Sequence, residues 1–247
     1  EWSFMMKARI LLASCLLVFS NLQAANLIIG VESISYLPFS DVKGKEFQGF
    51  YRELLDKFAA DNGHTITYRP LPIKRLTNDF VEGKVGFKIP DNAVWAQGMK
   101  AGKNISYSTP ITVYTDGIMV KPGAKGKPYG DLASIVTVRG FTPFPFLTDI
   151  EAGKLKLNEA NSLDQVVKMV DGGRVNGGFV NVTVATYFLD NVLNSAGKLV
   201  YDDSLPKGVS EISLSSNGQS DIIKEFDAWM NSNQSWVNSL KTKHQVE

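Results

Sequence analysis

A short apolar run that leads into a helical pattern constrains the fold of this chain most. Residues 27–29 read Leu-Ile-Ile and end at Gly30, which is typical of a strand covered on both faces, as in a parallel sheet. Phe50, Leu54 and Phe58 then recur every four residues, and this spacing predicts one apolar face of a helix. A buried strand followed by a helix indicates an α/β fold.

An aromatic loop, Tyr36-Leu37-Pro38-Phe39, joins this strand to this helix. Loops that follow strands in open α/β sheets line the usual ligand crevice. On position alone, two interpretations of Tyr36 and Phe39 stay open, because rings in such a loop either line a small-molecule site or belong to the core.

The alternation of strands and helices continues along the chain in two blocks. Residues 121–130, with three Gly and two Pro, separate the blocks and predict a linker or a surface loop. The first block predicts the order β-α-β-α-β, and the second predicts another small α/β unit followed by carboxy-terminal helices. Thr142 is predicted as the N-cap of a short helix. Strands are predicted at 65–69, 85–89, 105–107, 111–120, 135–138, 177–180, 199–201 and 212–215. A short helix is predicted near 76–81, and further helices near 163–170, 183–195, 222–230 and 236–240.

The composition excludes several classes of function. The 247 residues carry a formal net charge of +1 with scattered basic residues, which gives no electrostatic case for nucleic acid or an anionic membrane surface as a partner. The single cysteine, Cys15, excludes an intramolecular disulfide, and only His64 and His244 could act as imidazole ligands. We therefore expect no metal site and no cofactor.

The amino terminus has the order of a secretory signal peptide. Lys7 and Arg9 precede an apolar run at residues 10–19, and small residues follow up to Ala25. This order predicts export with cleavage after Ala24, or one residue later, and the run is too short to span a bilayer. Residues 1–24, including an upstream extension before residue 6, are thus predicted to be removed. The alternative of a lipoprotein cleavage box, with acylation of the cysteine at position 15, is disfavoured because it would leave an exposed apolar tail.

Several short motifs, taken in order, resemble the family 3 extracellular solute-binding proteins, the amino-acid-type receptors of ABC importers. The motifs begin with the signal peptide and then extend over the whole mature chain. They are the signal peptide, Tyr36-Leu37-Pro38-Phe39, Gly49-Phe50 with Glu53-Leu54, Ser106-Tyr107-Ser108-Thr109-Pro110, Val138-Arg139-Gly140 and Gly173-Arg174-Val175.

The resemblance implies a type II periplasmic binding protein with two α/β lobes. Each lobe would be a small, mostly parallel sheet flanked by helices, with the ligand cleft between the lobes. Lobe 1 would comprise residues 26–117 and 213–247, and lobe 2 would comprise residues 118–212. Two crossing strands would act as the hinge, with extended residues near Gly117 and Val209 absorbing the rotation.

The same resemblance assigns ligand contacts by position. Tyr36 matches the family's stacking aromatic residue, and Phe39 lies where the family closes the same wall. The family's arginine clamp for an α-carboxylate has no counterpart, because no arginine occurs between Arg75 and Arg139. Asn181 stands where the family commonly has an aspartate that pairs with the ligand ammonium, and it offers hydrogen bonds but no charge.

Further candidate contacts lie near predicted strand ends, where sites of α/β sheets are found. They are Lys88, Asp91, Asn92, Trp95, Arg139 and Thr142. Lys88, Asp91 or Arg139 could supply a replacement charge, and the alternative for each is a solvated loop or a surface ion pair. Trp95 is either a cleft aromatic or an anchor of its loop.

The sequence therefore predicts a monomeric periplasmic solute-binding protein, not an enzyme, that delivers a small polar solute to the transmembrane subunits of an ABC permease. A standard free α-amino acid is disfavoured, because burying either of its charges unpaired costs several kcal/mol. Two alternatives stay open. One is an enzyme similar to the cyclohexadienyl dehydratases, with Glu32, Glu53 or Asp91 as the acid, and the other is a sensor or accessory binding protein.

Overall fold

The structure, a computed structural model, describes residues 24–246. The predicted signal peptide at residues 1–24, with the cysteine at position 15, lies outside the described residues except for Ala24. Within residues 24–246, no helix is both long and apolar enough to cross a membrane. No group of three or more Cys, His, Asp or Glu side chains in that part of the chain is placed to hold a metal ion.

A ten-stranded mixed sheet forms the centre of the described chain. The strands are β1 Asn26–Glu32, β2 Asp41–Lys43, β3 Glu46–Gln48, β4 Thr65–Leu71, β5 Phe87–Asp91, β6 Ile105–Tyr107, β7 Thr112–Val120, β8 Ser134–Val138, β9 Lys156–Ala160, β10 Gly177–Asn181, β11 Val200–Tyr201 and β12 Gly208–Asn217. The main path through the sheet is β4-β1-β5-β12-β7-β10-β8-β9, with β6 on β12 and β11 on β7. β2 and β3 form a separate hairpin.

Two half-sheets of parallel strands flank a pair of long antiparallel strands. β1 runs parallel to β4 and β5 in the first half-sheet, and β8 runs parallel to β9 and β10 in the second. Residues 208–212 of β12 pair with β7, and residues 213–216 continue onto β5. β7 in turn pairs with β10 through residues 116–119. β7 and β12 therefore connect the half-sheets.

Helices flank both half-sheets, as the α/β pattern predicts. They are α1 Phe50–Asn62, α2 Ile73–Val81, α3 Gln97–Lys100, α4 Leu147–Glu151, α5 Leu163–Asp171, α6 Val182–Tyr187, α7 Ser220–Ser232 and α8 Gln234–His244. Short 3₁₀ turns lie at Pro122–Ala124, Tyr129–Asp131 and Phe144–Phe146, and a π turn at Phe188–Val192 extends α6. α1 buries Leu54 and Phe58 completely, as the spacing of four predicts.

Gly49 shows how the chain passes from the aromatic loop into α1. Its φ is +103°, a left-handed conformation that favours glycine, and a Cβ there would lie 2.9 Å from the Phe39 carbonyl oxygen. Phe39 is fully buried, so its backbone has little room to move. Glycine at this position therefore lets the loop and the start of the helix lie against each other.

The predicted elements occur with shifted ends, and several elements were missed. The β2–β3 hairpin was missed, because neither three-residue strand is long enough to show an alternation. β9 was also missed, because its sequence Lys-Leu-Asn-Glu-Ala has only one bulky apolar residue. The prediction that Thr142 caps a short helix was wrong. The chain there begins a 3₁₀ turn at Phe144, after Pro143, and no side chain caps that turn.

Candidate functional site

The two half-sheets meet at the carboxyl ends of their parallel strands. In the first half-sheet β1 ends at Glu32 and β5 at Asp91, and in the second β10 ends at Asn181. The rings of Tyr36, after β1, and Phe141, after β8, have centroids 6.2 Å apart. This edge is where open α/β sheets bind ligands. We call the following residues the cleft group: Glu32, Tyr36, Trp95, Tyr114, Asp116, Phe141 and Asn181.

Aromatic rings form one wall of this region. The centroid of Tyr36 lies 5.6 Å from that of Tyr114 on β7 and 6.2 Å from that of Phe39. Trp95, in the loop after β5, lies 6.4 Å from Tyr114. Phe39 is completely buried while Tyr36 is only partly so. The structure thus places Phe39 as support behind the wall and leaves Tyr36 as a surface that a solute could contact.

Two carboxyl groups, those of Glu32 and Asp116, lie beside Tyr36. Burial raises the pKa of Glu32, and the nearby Lys88 ammonium offsets part of that rise. Burial also raises the pKa of Asp116, and the Asn181 amide opposes this shift. The pKa of Tyr36 is raised by its burial and then by the charges of both carboxyl groups. Because the charges of both acids raise the pKa of Tyr36, both acids lie near this side chain.

Asn181 lies opposite Asp116 in the pairing of β10 with β7. Its Oδ1 accepts a hydrogen bond from the Val184 backbone N–H at 3.0 Å and so caps α6. Its Nδ2 is buried and has no hydrogen-bond partner of normal geometry among residues 24–246. A buried amide donor without a partner costs stability, and such groups are more common where a ligand completes the bonding.

Lys88 and Asp91 belong to a buried ion network. Asp91 is 0% exposed, and its Oδ1 accepts hydrogen bonds from Lys88 at 3.0 Å and Lys100 at 2.7 Å. Its Oδ2 accepts from the Ser215 hydroxyl at 2.6 Å. Lys88 also donates to the Pro90 carbonyl oxygen at 2.8 Å. These bonds use both side chains to join β5, α3 and β12, which favours a structural role over direct contact with a solute.

The other predicted contacts lie in different surroundings. Asn92 donates to the Glu211 carbonyl oxygen at 2.7 Å and fixes its loop to β12. Trp95 lies 5.8 Å from the Lys88 ammonium, measured to the ring centroid. Arg139 has a side chain 66% exposed, with its Nε 3.5 Å from a Glu159 carboxylate oxygen. Thr142 is exposed. The structure brings Tyr36, Trp95 and Asn181 to the cleft group, but shows Arg139 in a surface ion pair.

Sequence reasoning missed three members of the cleft group, namely Tyr114, Asp116 and Phe141. Tyr114 and Asp116 alternate along the strand predicted at residues 111–120, so they share one face. That alternation was the available signal, but it does not tell which face meets a ligand. Glu53, considered as a catalytic acid, instead accepts a hydrogen bond from Lys243 at 2.6 Å and so ties α1 to α8.

Comparison with known proteins identifies the fold through structure alone. No protein-family model matches the sequence, and no curated protein matches it. Among solved structures, an ancestral amino-acid-binding protein described as a precursor of cyclohexadienyl dehydratase superposes with a TM-score of 0.66 at 18% identity, covering 89% of this chain and 94% of that one. An ancestral arginine-binding protein bound to arginine gives 0.67 at 16% identity, with coverages of 89% and 97%.

A third similar structure is the substrate-binding protein of an amino acid ABC transporter. Its TM-score is 0.65 at 18% identity, and the alignment covers 89% of this chain and 98% of that one. All three are similar over nearly their whole length, which agrees with the motif order in the sequence. The chain therefore has the two-lobed α/β fold of the periplasmic amino-acid-binding proteins, as its sequence motifs predict.

Proposed function

We propose that this protein captures a small polar solute between its two lobes in the periplasm and delivers it to the membrane permease of an ABC importer. The observation that carries the proposal is the contact of Tyr36 with Phe141 across the two half-sheets, beside the carboxyl groups of Glu32 and Asp116. A scaffold that encloses aromatic faces and polar groups between two bodies is suited to holding a small molecule.

In this proposal the two lobes are divided at the strands that connect the two half-sheets. Lobe 1 takes residues 26–117 and 213–247, and lobe 2 takes residues 118–212, with β7 and β12 as the crossing strands. Residues 208–212 of β12 pair with β7, and the next residues pair with β5. Rotation about this short stretch would open and close the cleft.

The charges of the region disfavour a standard free α-amino acid. In other proteins the α-carboxylate is commonly held by an arginine fork, whereas the cleft group has no arginine. Arg139, the nearest candidate in sequence, has its guanidinium beside Glu159. The Lys88 ammonium already donates to Asp91 and Pro90. A ligand carboxylate would have to share this buried ammonium with Asp91.

A thermal-shift screen of the purified protein tests the proposal. We expect at least one compound among amino acids, amines, small peptides and organic acids to raise the melting temperature by mass action. At a ligand concentration of about 100 Kd the stabilisation is about 2.7 kcal/mol, or roughly 5–11 °C for a chain of this size. Small-angle X-ray scattering with that compound should show a smaller radius of gyration, because the lobes close.

Two aromatic residues of one loop provide a matched pair of variants. Phe141 is 39% exposed and contacts Tyr36, whereas Phe144 is 72% exposed. Phe141→Ala should reduce the ligand-induced shift, and Phe144→Ala should leave it unchanged. If no compound shifts the melting temperature, or if both variants respond as the parent does, the cleft is not the binding site.

An enzyme on this scaffold is a second candidate, favoured by one observation. Burial raises the pKa values of Glu32 and Asp116, and a carboxyl group with a raised pKa can act as a general acid near neutral pH. Incubation with prephenate or arogenate tests this candidate. Turnover that is lost in Glu32→Gln or Asp116→Asn, with the fold retained by circular dichroism, would replace the transport function with catalysis.

A further inference from the structure

The charged groups of the cleft group are all acidic. Glu32 closes β1 and Asp116 lies on β7, and neither forms an ion pair with a cation among residues 24–246. Both act electrostatically on Tyr36. A ligand carboxylate placed beside Tyr36 would therefore meet two like charges, whereas a ligand cation would meet two opposite ones.

The cations near this region are committed elsewhere. Lys88 donates to Pro90 and Asp91, and Lys100 donates to Asp91 at 2.7 Å and to the Asn92 carbonyl oxygen at 2.8 Å. All of these bonds are buried or partly buried. Freeing either ammonium for a ligand would leave the carboxylate at position 91 with one cationic partner fewer, so the network resists becoming an anion site.

The neutral groups of the region suit a cation as well. Tyr36 and Phe141 present aromatic rings, which attract ammonium and guanidinium groups, whereas the Trp95 ring already lies 5.8 Å from the Lys88 ammonium. The buried Nδ2 of Asn181, a residue only 4% exposed, makes no hydrogen bond of normal geometry among residues 24–246, although the Asn181 amide lies near enough to Asp116 to affect its pKa. It would be satisfied by an uncharged acceptor atom of the ligand. Aromatic rings, two acids and one neutral donor converge on the ends of β1 and β10 and the middle of β7.

We infer that the solute is a small organic cation, with an amine or guanidinium group and no carboxylate. This inference rests on the proposed function, since it names the class of solute for the same cleft. It separates this chain from a receptor for amino acids, which needs a cationic group for the ligand carboxylate. In this structure the acids and rings are present at the cleft, while the cations beside it are held by Asp91.

Matched pairs of compounds that differ by one carboxylate test the inference. Isothermal titration calorimetry of the purified protein would compare agmatine with arginine, cadaverine with lysine and histamine with histidine. Glutarate would serve as a purely anionic probe. We expect at least one of the amines to bind about tenfold or more tightly than its parent amino acid, since a buried unpaired carboxylate opposes binding. Glutarate should not bind.

Variants of the two acids test whether Glu32 and Asp116 contribute to amine binding. Asp116→Asn and Glu32→Gln should each weaken amine binding about tenfold or more, because each removes a charge that faces the ligand. Asp203→Asn is the control, since Asp203 carries the same charge but its side chain is 65% exposed and pairs with Lys125. Circular dichroism melting of each variant ensures that lost binding is not lost folding.

The outcomes separate the inference from the proposed function. If an amino acid binds as tightly as its amine, or if glutarate binds in preference, the cation inference is overturned while solute binding stands. Unchanged amine binding in both Asp116→Asn and Glu32→Gln also overturns the inference. If no amine, amino acid or anion binds, the inference fails, and the proposed function fails as well only if no compound of the thermal-shift screen raises the melting temperature.

Discussion

The buried ion network at Asp91 allows a quantitative prediction. Asp91 is fully buried and accepts hydrogen bonds from Lys88, Lys100 and Ser215 at 3.0, 2.7 and 2.6 Å. Asp91→Asn removes the one negative charge between two buried ammonium groups while keeping the size of the side chain. The lysines would then retain the backbone oxygens of residues 90 and 92 and the uncharged amide oxygen of the new asparagine as acceptors, but no carboxylate in this network.

The expected loss follows from the burial of that charge. Removing one partner of a buried ion pair costs about 3–5 kcal/mol, because the remaining charge is desolvated without compensation. For a domain of 150–250 residues each kcal/mol lowers the melting temperature by about 2–4 °C, so we expect Asp91→Asn to melt roughly 6–20 °C lower. Asp203→Asn is the control, because its exposed pair with Lys125 contributes about 0–1 kcal/mol.

Differential scanning calorimetry at neutral pH measures both variants. A melting temperature of Asp91→Asn within about 2 °C of the control would refute the reasoning, because it would mean that the two ammonium groups reach water or other partners. A combined replacement, Lys88→Met with Asp91→Leu and Lys100→Met, separates charge from packing. This apolar set should recover most of the loss, since buried ion networks can be replaced by apolar groups at little cost.

Three further outcomes follow from the same structure. Burial opposes ionisation of Asp91, but Lys88, Lys100 and Ser215 hold its pKa below the ordinary value. The contribution of Asp91 to stability is therefore present above the unfolded pKa of about 3.9 and is lost as pH falls through the lower folded pKa. The free energy of unfolding, measured by urea titration across acidic pH, should show a step that Asp91→Asn lacks. Gly49→Ala should cost about 1–3 kcal/mol in urea unfolding, because of its positive φ and the close Phe39 carbonyl, whereas Gly44→Ala, with open space around it, should cost less. The raised pKa values of the two cleft acids give the opposite sign, so their stabilisation is present at low pH and is lost as pH rises through the raised values. Calorimetry at acidic pH, where these acids carry protons, should therefore show proton release when an amine binds, measured in buffers of different ionisation enthalpy.

Much of the fold could be predicted because its elements are long or strongly patterned. The apolar run at residues 27–29 became β1, the middle strand of the first half-sheet, and the spacing of Leu54 and Phe58 became the buried face of α1. Tertiary contacts then lengthened several elements beyond their patterns. β12 runs from residue 208 to 217 because its first half pairs with β7 and its second half with β5, and pairing partners are not visible in a local pattern.

The candidate site could be predicted only where a loop carries a distinctive motif. Tyr36 was chosen from its aromatic loop and from its match to the family's stacking aromatic residue, and Asn181 was chosen from the resemblance alone, because it stands where the family commonly has an aspartate. Lys88 and Asp91 were chosen as charges near a strand end, but sequence shows a charge and not its partner. Their partners, Lys100 and Ser215, lie on α3 and β12, so only the folded chain reveals that these charges satisfy one another.

The two acids also bear on how closure could depend on the solute. In the structure the half-sheets are in contact through Tyr36 and Phe141, and burial raises the pKa values of Glu32 and Asp116. Ionised carboxylates at neutral pH therefore oppose the contact between the half-sheets. A bound cation would offset that cost only where both acids and the rings reach it together. A ligand shifts a conformational equilibrium by its difference in affinity for the two states. The same acids that weaken closure without a solute would therefore make closure selective for a cation.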